Sequence, residues 1–317
     1  MTQMKIDVRA IAKPLDNEAV YKTDATYVID EIIEGAPLVI TFGFYNPDNL
    51  PHFDFYERMK RIQQLSGVKM NLLMVRDLSR LWYQKGIGGM GDNIVEVTGC
   101  LMDMIRQIKP SKVITIGQSM GGYGALTFGA LLEVDKIISF GPLSFFSTQM
   151  AMEISDFRWI AIMQEVDKNP PQPYVPDLVD IMKLSGNLPE THIIYGMLHD
   201  DGINPGQDEY HAKRLQISDR VFLHPVNEST HTVVHYLKEN KLINRLLIKL
   251  MLDIEMDNIP TDPLPEDWCM WIRNNFAAGV SAEEVKRILL ENKFGEAEID
   301  AAIKREKEDL TPKTNFF

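Results

Sequence analysis

One stretch of the sequence, Val113-Ile114-Thr115-Ile116-Gly117-Gln118-Ser119-Met120-Gly121-Gly122, sets the expectation for everything around it. Its first four residues are β-branched, which predicts a strand that is buried on both faces. The following residues form the pattern G-x-S-x-G around Ser119, and residues 123–132 have helical spacing. The stretch therefore predicts a strand, a sharp turn that carries a serine, and a helix.

The glycines of this turn have a physical reason. A Cβ atom at Gly117 or Gly121 would collide with the neighbouring strand or helix, so only glycine fits beside such a strained serine. The turn would hold the Ser119 hydroxyl above the sheet at the helix N-terminus, where free backbone amides stabilise a negatively charged oxygen. Ser119 is therefore predicted to be a nucleophile, against the alternative of a buried serine that caps the helix.

Short apolar runs alternate with helical patterns along most of the chain. The runs predict strands at residues 38–42, 72–75, 113–116, 136–140, 192–195 and 221–224. Helices are predicted at residues 53–65, 92–108, 121–132, 210–215 and 233–238. This alternation indicates the α/β class, with a mostly parallel sheet sandwiched by helices. The first thirty-odd residues are expected to add one or two antiparallel strands at the sheet edge.

The predicted organisation is one large domain followed by a small one. The large domain is expected to span residues 1–258, and an insertion at about residues 144–190 interrupts its alternation of strands and helices. This insertion is either a lid over a pocket or a long crossover connection. Three prolines near residue 260 mark the boundary, and residues 266–317 predict a small module of three helices. Ser281 and Glu284 have the spacing of a capping box in that module.

Composition excludes several classes of function. The formal net charge of −12 disfavours a surface for nucleic acid or an anionic membrane, because phosphate binding needs clustered Lys and Arg. No apolar run approaches the length of about 18 residues that a spanning helix needs, and no secretory signal is evident. The two cysteines, Cys100 and Cys269, are far apart, which favours a reducing compartment. We expect a cytoplasmic protein with no membrane or nucleic-acid partner.

Neither a cofactor nor a metal is expected. The glycines of residues 86–91 match G-x-G-x-x-G, but they do not directly follow a strand, as a dinucleotide fingerprint requires. The sequence also lacks H-E-x-x-H and paired C-x-x-C patterns, and its histidines are scattered. A loop leading into a helix is the preferred interpretation of residues 86–91.

The string Gly117-Gln118-Ser119-Met120-Gly121-Gly122-Tyr123-Gly124-Ala125-Leu126, in its predicted strand–turn–helix context, resembles the α/β-hydrolase superfamily. It is most similar to the serine esterase and acyl-hydrolase branches, and the similarity covers about residues 35–255. The resemblance implies a Ser-His-Asp triad in the chain order nucleophile, acid, histidine. It also implies catalysis through an acyl-enzyme, without a cofactor.

His231 is the histidine that best matches the family's base. It lies in a polar loop after the last predicted strand and before the next helix, where the family carries that residue. His224 would lie at the strand end and His235 one turn into the helix. Both are expected to be structural.

The acid has three candidates in the loop after the penultimate strand. Asp201 is preferred, because its spacing from Gly196 and Pro205 resembles the family's pattern. Asp208 is the first alternate, although its position also suits a helix N-cap, and Asp200 is the second.

Two backbone amides are expected to form an oxyanion hole. One is the Met120 N–H, which follows the nucleophile, and the other is the Phe44 N–H after the first long strand. Trp82 and Tyr83 lie in a loop at the same edge of the sheet. They are expected either to line the pocket or to pack in the core.

The resulting functional hypothesis is a serine hydrolase that cleaves a carboxylic ester of a small acyl substrate. The alternatives are an acyltransferase or an amide or thioester hydrolase in polysaccharide or small-molecule metabolism, or a non-catalytic scaffold with the same fold. The apolar spacing of the C-terminal module is similar to that of ubiquitin-associated-like folds. The residues with this spacing are Trp268, Trp271, Ile272, Val280, Val285, Leu289, Phe294, Ile299 and Ile303. That module would either bind a protein partner or pack on the main domain.

Overall fold

The chain divides into two compact units, residues 1–254 and residues 255–317. The structure, a computed structural model, describes residues 6–47, 51–199, 206–255, 264, 266–292 and 294–310. The division between the units falls close to the boundary that the prolines near residue 260 predict.

Seven strands of the described residues form one sheet in the first unit. They are β1 Tyr27–Ile29, β2 Leu38–Phe42, β3 Asn71–Val75, β4 Val113–Gln118, β5 Lys136–Phe140, β6 Glu190–Gly196 and β7 Val221–Val226. Their order across the sheet is β1-β3-β2-β4-β5-β6-β7, in which β1 pairs antiparallel with β3 and all other pairs are parallel. The mostly parallel sheet and the antiparallel edge strand are as the sequence predicts.

Helices cover both faces of this sheet, which explains the apolar runs of its strands. Every residue of β2, β3 and β5 is buried. The described helices of the first unit are α1 Val8–Ile11, α2 Asn17–Tyr21, α3 Tyr56–Ser66, α4 Ile94–Ile108, α5 Met120–Leu131, α6 Thr148–Glu153, α7 Ile160–Lys168, α8 Leu178–Leu184, α9 Gln207–Leu215, α10 Val233–Glu239 and α11 Ile243–Leu252. None of the described helices combines the length and the apolarity that crossing a bilayer requires.

The insertion between β5 and β6 contains three helices, α6, α7 and α8. The amphipathic pattern of residues 150–166 suggests one helix, but the structure breaks it at Ser155, whose φ of 58° is left-handed. The turn after Ser155 is stabilised by Asp156, whose carboxylate accepts hydrogen bonds from the backbone and side chain of Arg158. The local contacts of Asp156 thus interrupt the helical periodicity here.

The insertion packs on the loops that follow β2 and β3 through an aromatic cluster of Tyr45, Trp82, Phe146 and Trp159. The ring centroids of Trp82 lie 4.8 Å from Phe146 and 4.9 Å from Trp159, and those of Tyr45 and Trp159 are 4.8 Å apart. The insertion is therefore joined to the edge of the sheet where the strands end.

The loop after β3 folds around the carboxylate of Asp77, which is only 1% exposed. This carboxylate accepts backbone N–H groups of Ser79, Leu81 and Tyr83, each at 2.9 Å, and the Ser79 hydroxyl. Trp82 and Tyr83 are fully buried. Of the two expectations for these side chains, the structure supports packing in the core.

The second unit consists of three described helices, α12 Glu266–Ala277, α13 Ala282–Glu291 and α14 Glu296–Leu310. Their buried core is formed by Leu264, Cys269, Ile272, Val285, Leu289, Ile299 and Ala302. The Ser281 hydroxyl accepts the Glu284 N–H at 3.2 Å, as a capping box requires, whereas the Glu284 carboxylate accepts from Arg287. The likeness of this unit to ubiquitin-associated folds stays a prediction.

Asp77→Ala should lower the free energy of unfolding by about 3 kcal/mol or more, because three backbone N–H groups lose their acceptor in a buried loop. Urea denaturation followed by circular dichroism measures this change. Asp103→Ala is the matched control, since it removes only an exposed ion pair with Arg106. That control should change the free energy by less than about 0.5 kcal/mol. Equal effects of the two substitutions would contradict the structural role of Asp77.

Candidate active site

Ser119 lies in the turn between strand β4 and helix α5 with φ 51° and ψ −116°. Positive φ is strained for a residue with a side chain, and the surrounding contacts must hold it. The Ser119 N–H donates to the carbonyl of Phe140 at 2.7 Å, which ties the turn to the end of β5. The sequence predicts this strand–turn–helix arrangement.

The two glycines of the motif have the close contacts that the sequence predicts. A Cβ atom at Gly117 would lie 2.1 Å from the Gly121 carbonyl oxygen, and one at Gly121 would lie 2.1 Å from the Phe42 carbonyl oxygen. Both distances are far below van der Waals contact. Any side chain at either position would therefore displace the turn and Ser119 with it.

His231 lies in the loop between β7 and α10, and its Nε2 atom is 3.1 Å from Ser119 Oγ. The loop rests on the end of β6, because a Cβ atom at Gly196 would lie 1.9 Å from the Thr230 carbonyl oxygen. Another histidine, His224, lies on β7 with its Nε2 atom 3.0 Å from His192 Nδ1. Burial and the neighbouring His192 lower the pKa of His224 to about 4.

Asp208 occupies the other side of the His231 ring, with Oδ2 2.7 Å from His231 Nδ1. The preferred acid, Asp201, and the second alternate, Asp200, lie outside the described residues. Of the three candidates, Asp208 is the one that the described residues place against His231 Nδ1. Helix α9 has Gly206 at its N-cap, so the N-cap interpretation of Asp208 is wrong.

The carboxyl of Asp208 is almost completely buried, with 1% of the side chain exposed. Burial opposes ionisation, but the hydrogen bond from His231 and the positive charge of Arg158 outweigh it. The pKa of Asp208 is therefore lowered, and the carboxylate is ionised at neutral pH. An ionised carboxylate on Nδ1 leaves Nε2 of a neutral imidazole free to accept the serine proton.

The two amides expected in the oxyanion hole differ in their surroundings. The Met120 N–H belongs to the first residue of α5, one of the amides that a helix leaves without an internal partner. The Phe44 N–H instead donates to Asp54 Oδ2 at 2.8 Å. Phe44 can therefore donate to a substrate only after the Asp54 carboxyl moves away. No pattern in the amino-acid sequence indicates this contact.

Asp54 also lines a cavity of about 380 Å³ beside the turn. Tyr21, Phe55, Gln118 and Val234 are among the other residues of its wall, and Gln118 directly precedes Ser119. Burial raises the pKa of Asp54 to about 8, although the Phe44 N–H opposes this shift. Asp54 is thus mostly a neutral acid at neutral pH. A titratable group with a strongly shifted pKa in a cleft is typical of a functional site.

No group of three or more histidine, cysteine, aspartate or glutamate side chains is arranged to hold a metal ion in the part of the chain that the structure describes. Cys100 and Cys269 are both buried free thiols.

A scan against protein-family models found no match, and neither did a search of curated proteins. Among solved structures, the chain is similar to a capsule O-acetyltransferase of Neisseria meningitidis serogroup A, at 16% identity and a TM-score of 0.49, covering 74% of this chain and 98% of that one. It is also similar to FphF, a fluorophosphonate-binding serine hydrolase of Staphylococcus aureus, at 15% identity and a TM-score of 0.47, covering 75% and 89%. An S-formylglutathione hydrolase of Staphylococcus aureus has 16% identity and a TM-score of 0.44, with the same coverage.

The chain has the α/β-hydrolase fold. This assignment depends on the strand order of the sheet, the antiparallel edge strand β1 and the strand–Ser119–helix turn at the central strand β4. The activities of the similar structures do not transfer to this chain at such low identity.

Asp54→Asn should stabilise the protein more at pH 8 than at pH 5. In the folded chain the Asp54 carboxyl stays neutral up to about pH 8, whereas the unfolded chain ionises it above about pH 4. The contribution of Asp54 to stability therefore becomes less favourable as the pH rises from about 4 to about 8, and the substitution removes this loss. Thermal unfolding at pH 5, 6.5 and 8 should show a gain of a few degrees in Tm that grows with pH. A gain independent of pH would show that Asp54 titrates normally.

Proposed function

We propose that the chain is a serine hydrolase that cleaves carboxylic esters through an acyl-enzyme on Ser119. The observation that supports this function is the continuous hydrogen-bonded series from Ser119 Oγ to His231 Nε2, at 3.1 Å, and from His231 Nδ1 to Asp208 Oδ2, at 2.7 Å. It places a nucleophile, a base and an orienting acid within hydrogen-bond reach of one another.

In the first step, Ser119 Oγ attacks the ester carbonyl while His231 Nε2 takes the hydroxyl proton. Asp208 holds the Nδ1–H tautomer and stabilises the imidazolium that forms, without itself taking the proton. The imidazolium then protonates the leaving alcohol as the tetrahedral intermediate collapses to the acyl-enzyme. In the second step, His231 Nε2 takes a proton from the water that attacks the acyl group. The imidazolium returns this proton to Ser119 Oγ as the second tetrahedral intermediate collapses and releases the acid.

The negative oxygen of the tetrahedral intermediate needs hydrogen-bond donors. The Met120 N–H at the N-terminus of α5 provides the first one. The Phe44 N–H provides the second when the Asp54 carboxyl leaves it. The Phe44 N–H can exchange the Asp54 carboxyl for the oxyanion of the intermediate. Asp54 is mostly neutral near pH 7, and a neutral carboxyl is a weaker acceptor than an oxyanion.

Transfer of the acyl group to another alcohol, and cleavage of amides or thioesters, would use the same three residues. These reactions share the acylation of Ser119 and differ in the leaving group or in the second nucleophile. Ester hydrolysis is the simplest of them, since water serves as acceptor. The non-catalytic scaffold is disfavoured, because a scaffold has no need for an ionised carboxylate buried against His231.

Location and partners remain predictions. The buried free thiols of Cys100 and Cys269 suit a reducing compartment, which supports the proposed cytoplasmic location. A protein partner for the C-terminal unit is likewise a proposal.

Ser119→Ala should abolish both ester hydrolysis and covalent labelling by a fluorophosphonate probe, while the circular dichroism spectrum stays unchanged. His231→Ala should lower kcat by about 10⁴-fold, because the serine loses its base. His235→Ala is the control, since that exposed side chain lies on α10 and should leave kcat unchanged. A panel of short- and long-chain aryl esters measures the rates. Labelling that survives Ser119→Ala would place the nucleophile elsewhere.

Asp208→Asn should lower kcat by about 10⁴-fold, because an amide cannot hold the required tautomer or stabilise the imidazolium. Asp201→Asn should leave kcat within about twofold of the wild-type value if Asp208 is the acid that the hydrogen bond indicates. The same ester assay, with Tm measured for both variants, separates the two aspartates. An inactive Asp201→Asn beside an active Asp208→Asn would restore Asp201 as the acid.

A further inference from the structure

The acid of the proposed triad has a second buried partner, which belongs to the insertion. Arg158 Nη1 donates to Asp208 Oδ1 at 2.6 Å, while Oδ2 of the same carboxylate faces His231. Arg158 lies between helices α6 and α7, and only 8% of its side chain is exposed. The insertion therefore contacts the site through the Arg158 guanidinium group.

The position of Arg158 is itself fixed by Asp156. The Arg158 Nε atom donates to Asp156 Oδ1 at 2.9 Å, and Nη2 donates to Oδ2 at 2.8 Å. This bidentate geometry restricts the orientation of the guanidinium plane. Nη1, the third nitrogen of the same rigid group, is thereby held against Asp208.

His211 on α9 holds Asp156 in turn. Its Nδ1 atom accepts the Ser144 N–H at 3.0 Å, so Nδ1 is unprotonated and the ring hydrogen is on Nε2. Nε2 lies 3.0 Å from Asp156 Oδ2 and donates to it. Burial lowers the pKa of His211, in agreement with a neutral ring. The network thus extends from Ser144 at the start of the insertion to His231.

We propose that Arg158 is a positioning residue for acyl transfer, acting on Ser119 through Asp208 and His231. This inference rests on the proposed function. With one oxygen bonded to Arg158 and the other to His231, the Asp208 carboxylate has a fixed rotation, and the imidazole that it orients is fixed as well. The insertion is accordingly part of the catalytic apparatus.

The charges of the network support this role. Among the described residues, Arg158 and His231 face Asp208, and Asp156 and His211 lie behind Arg158. With both imidazoles in the neutral form from which the proposed mechanism starts, the two carboxylates and the guanidinium give these five groups a net charge of −1. When His231 takes the serine proton, the cluster becomes neutral. Without Arg158 it would hold two uncompensated buried carboxylates, and the Asp208–His231 pair would bind a proton more readily.

The test compares Arg158→Gln and Arg158→Lys with a matched control, Arg214→Gln. Arg214 also joins the insertion to α9 in a bidentate pair, with Asp177 at 2.7 and 2.5 Å, but the structure shows no contact between Arg214 and Asp208 within the described residues. For each variant, kcat and KM for p-nitrophenyl acetate and the rate of fluorophosphonate labelling are measured from pH 5 to pH 9.

Arg158→Gln should lower kcat by about a hundredfold at unchanged KM. It should also move the acidic limb of both pH profiles about one unit toward higher pH. Arg158→Lys keeps the positive charge and should therefore restore the position of the acidic limb. It should restore only part of kcat, because lysine lacks the bidentate geometry of the guanidinium. Arg214→Gln should change neither. A wild-type profile for Arg158→Gln, or the same losses in Arg214→Gln, would overturn the inference.

A double variant keeps the test valid if Arg158→Gln does not fold. Arg158→Gln with Asp156→Asn removes one charge of each sign, so no additional buried charge is left unpaired, while Asp208 still loses its guanidinium. This variant should fold and still show the lower kcat. Wild-type kcat in the folded double variant would also overturn the inference.

The labelling experiment distinguishes failure of the proposed function from failure of this inference. If the wild-type protein is not labelled at Ser119, the proposed function fails. If it is labelled and Arg158→Gln behaves like wild type, only the role of Arg158 fails.

Discussion

The strained turn at Ser119 is the constraint on which the site depends. It exists because the start of α5 lies so close to β4 and β2 that Gly117 and Gly121 leave no room for a side chain. A serine with positive φ is costly in isolation, so the sheet and the buried helix must hold it. In return the hydroxyl stands at a helix N-terminus, within 3.1 Å of His231. The position of every other group of the site is set relative to this oxygen.

The strands and the turn at Ser119 are predictable from the sequence because local patterns determine them. Buried parallel strands are apolar runs, and G-x-S-x-G between a strand and a helix is a local signature. The acid is different, since the start of helix α9 decides which side chain faces His231. Gly206, with a φ of 99°, begins that helix, so Asp208 lies in its first turn and points inward. The spacing of an aspartate from Gly196 therefore does not predict which carboxylate faces His231.

The sequence also did not predict contacts that form between separate loops. Asp54 meets the Phe44 amide because the chain returns beside β2 before α3, and the break at Ser155 depends on the burial of Asp156. Neither the contact nor the break corresponds to a periodic pattern in the sequence. The pattern of residues 150–166 correctly indicated helical structure in the insertion, but the structure divides it into α6 and α7, with Arg158 between them.

The dependence of Asp208 on Arg158 bears on how this chain could be diversified. Segments inserted after a central strand are convenient units for changing substrate range, because the sheet tolerates insertions of different length at that point. Here such an exchange would also remove the cation beside the buried acid and the aromatic contacts of Trp159. A grafted segment would have to bring an equivalent Asp-x-Arg turn with it. An exchange of this insertion would therefore also change the surroundings of Asp208.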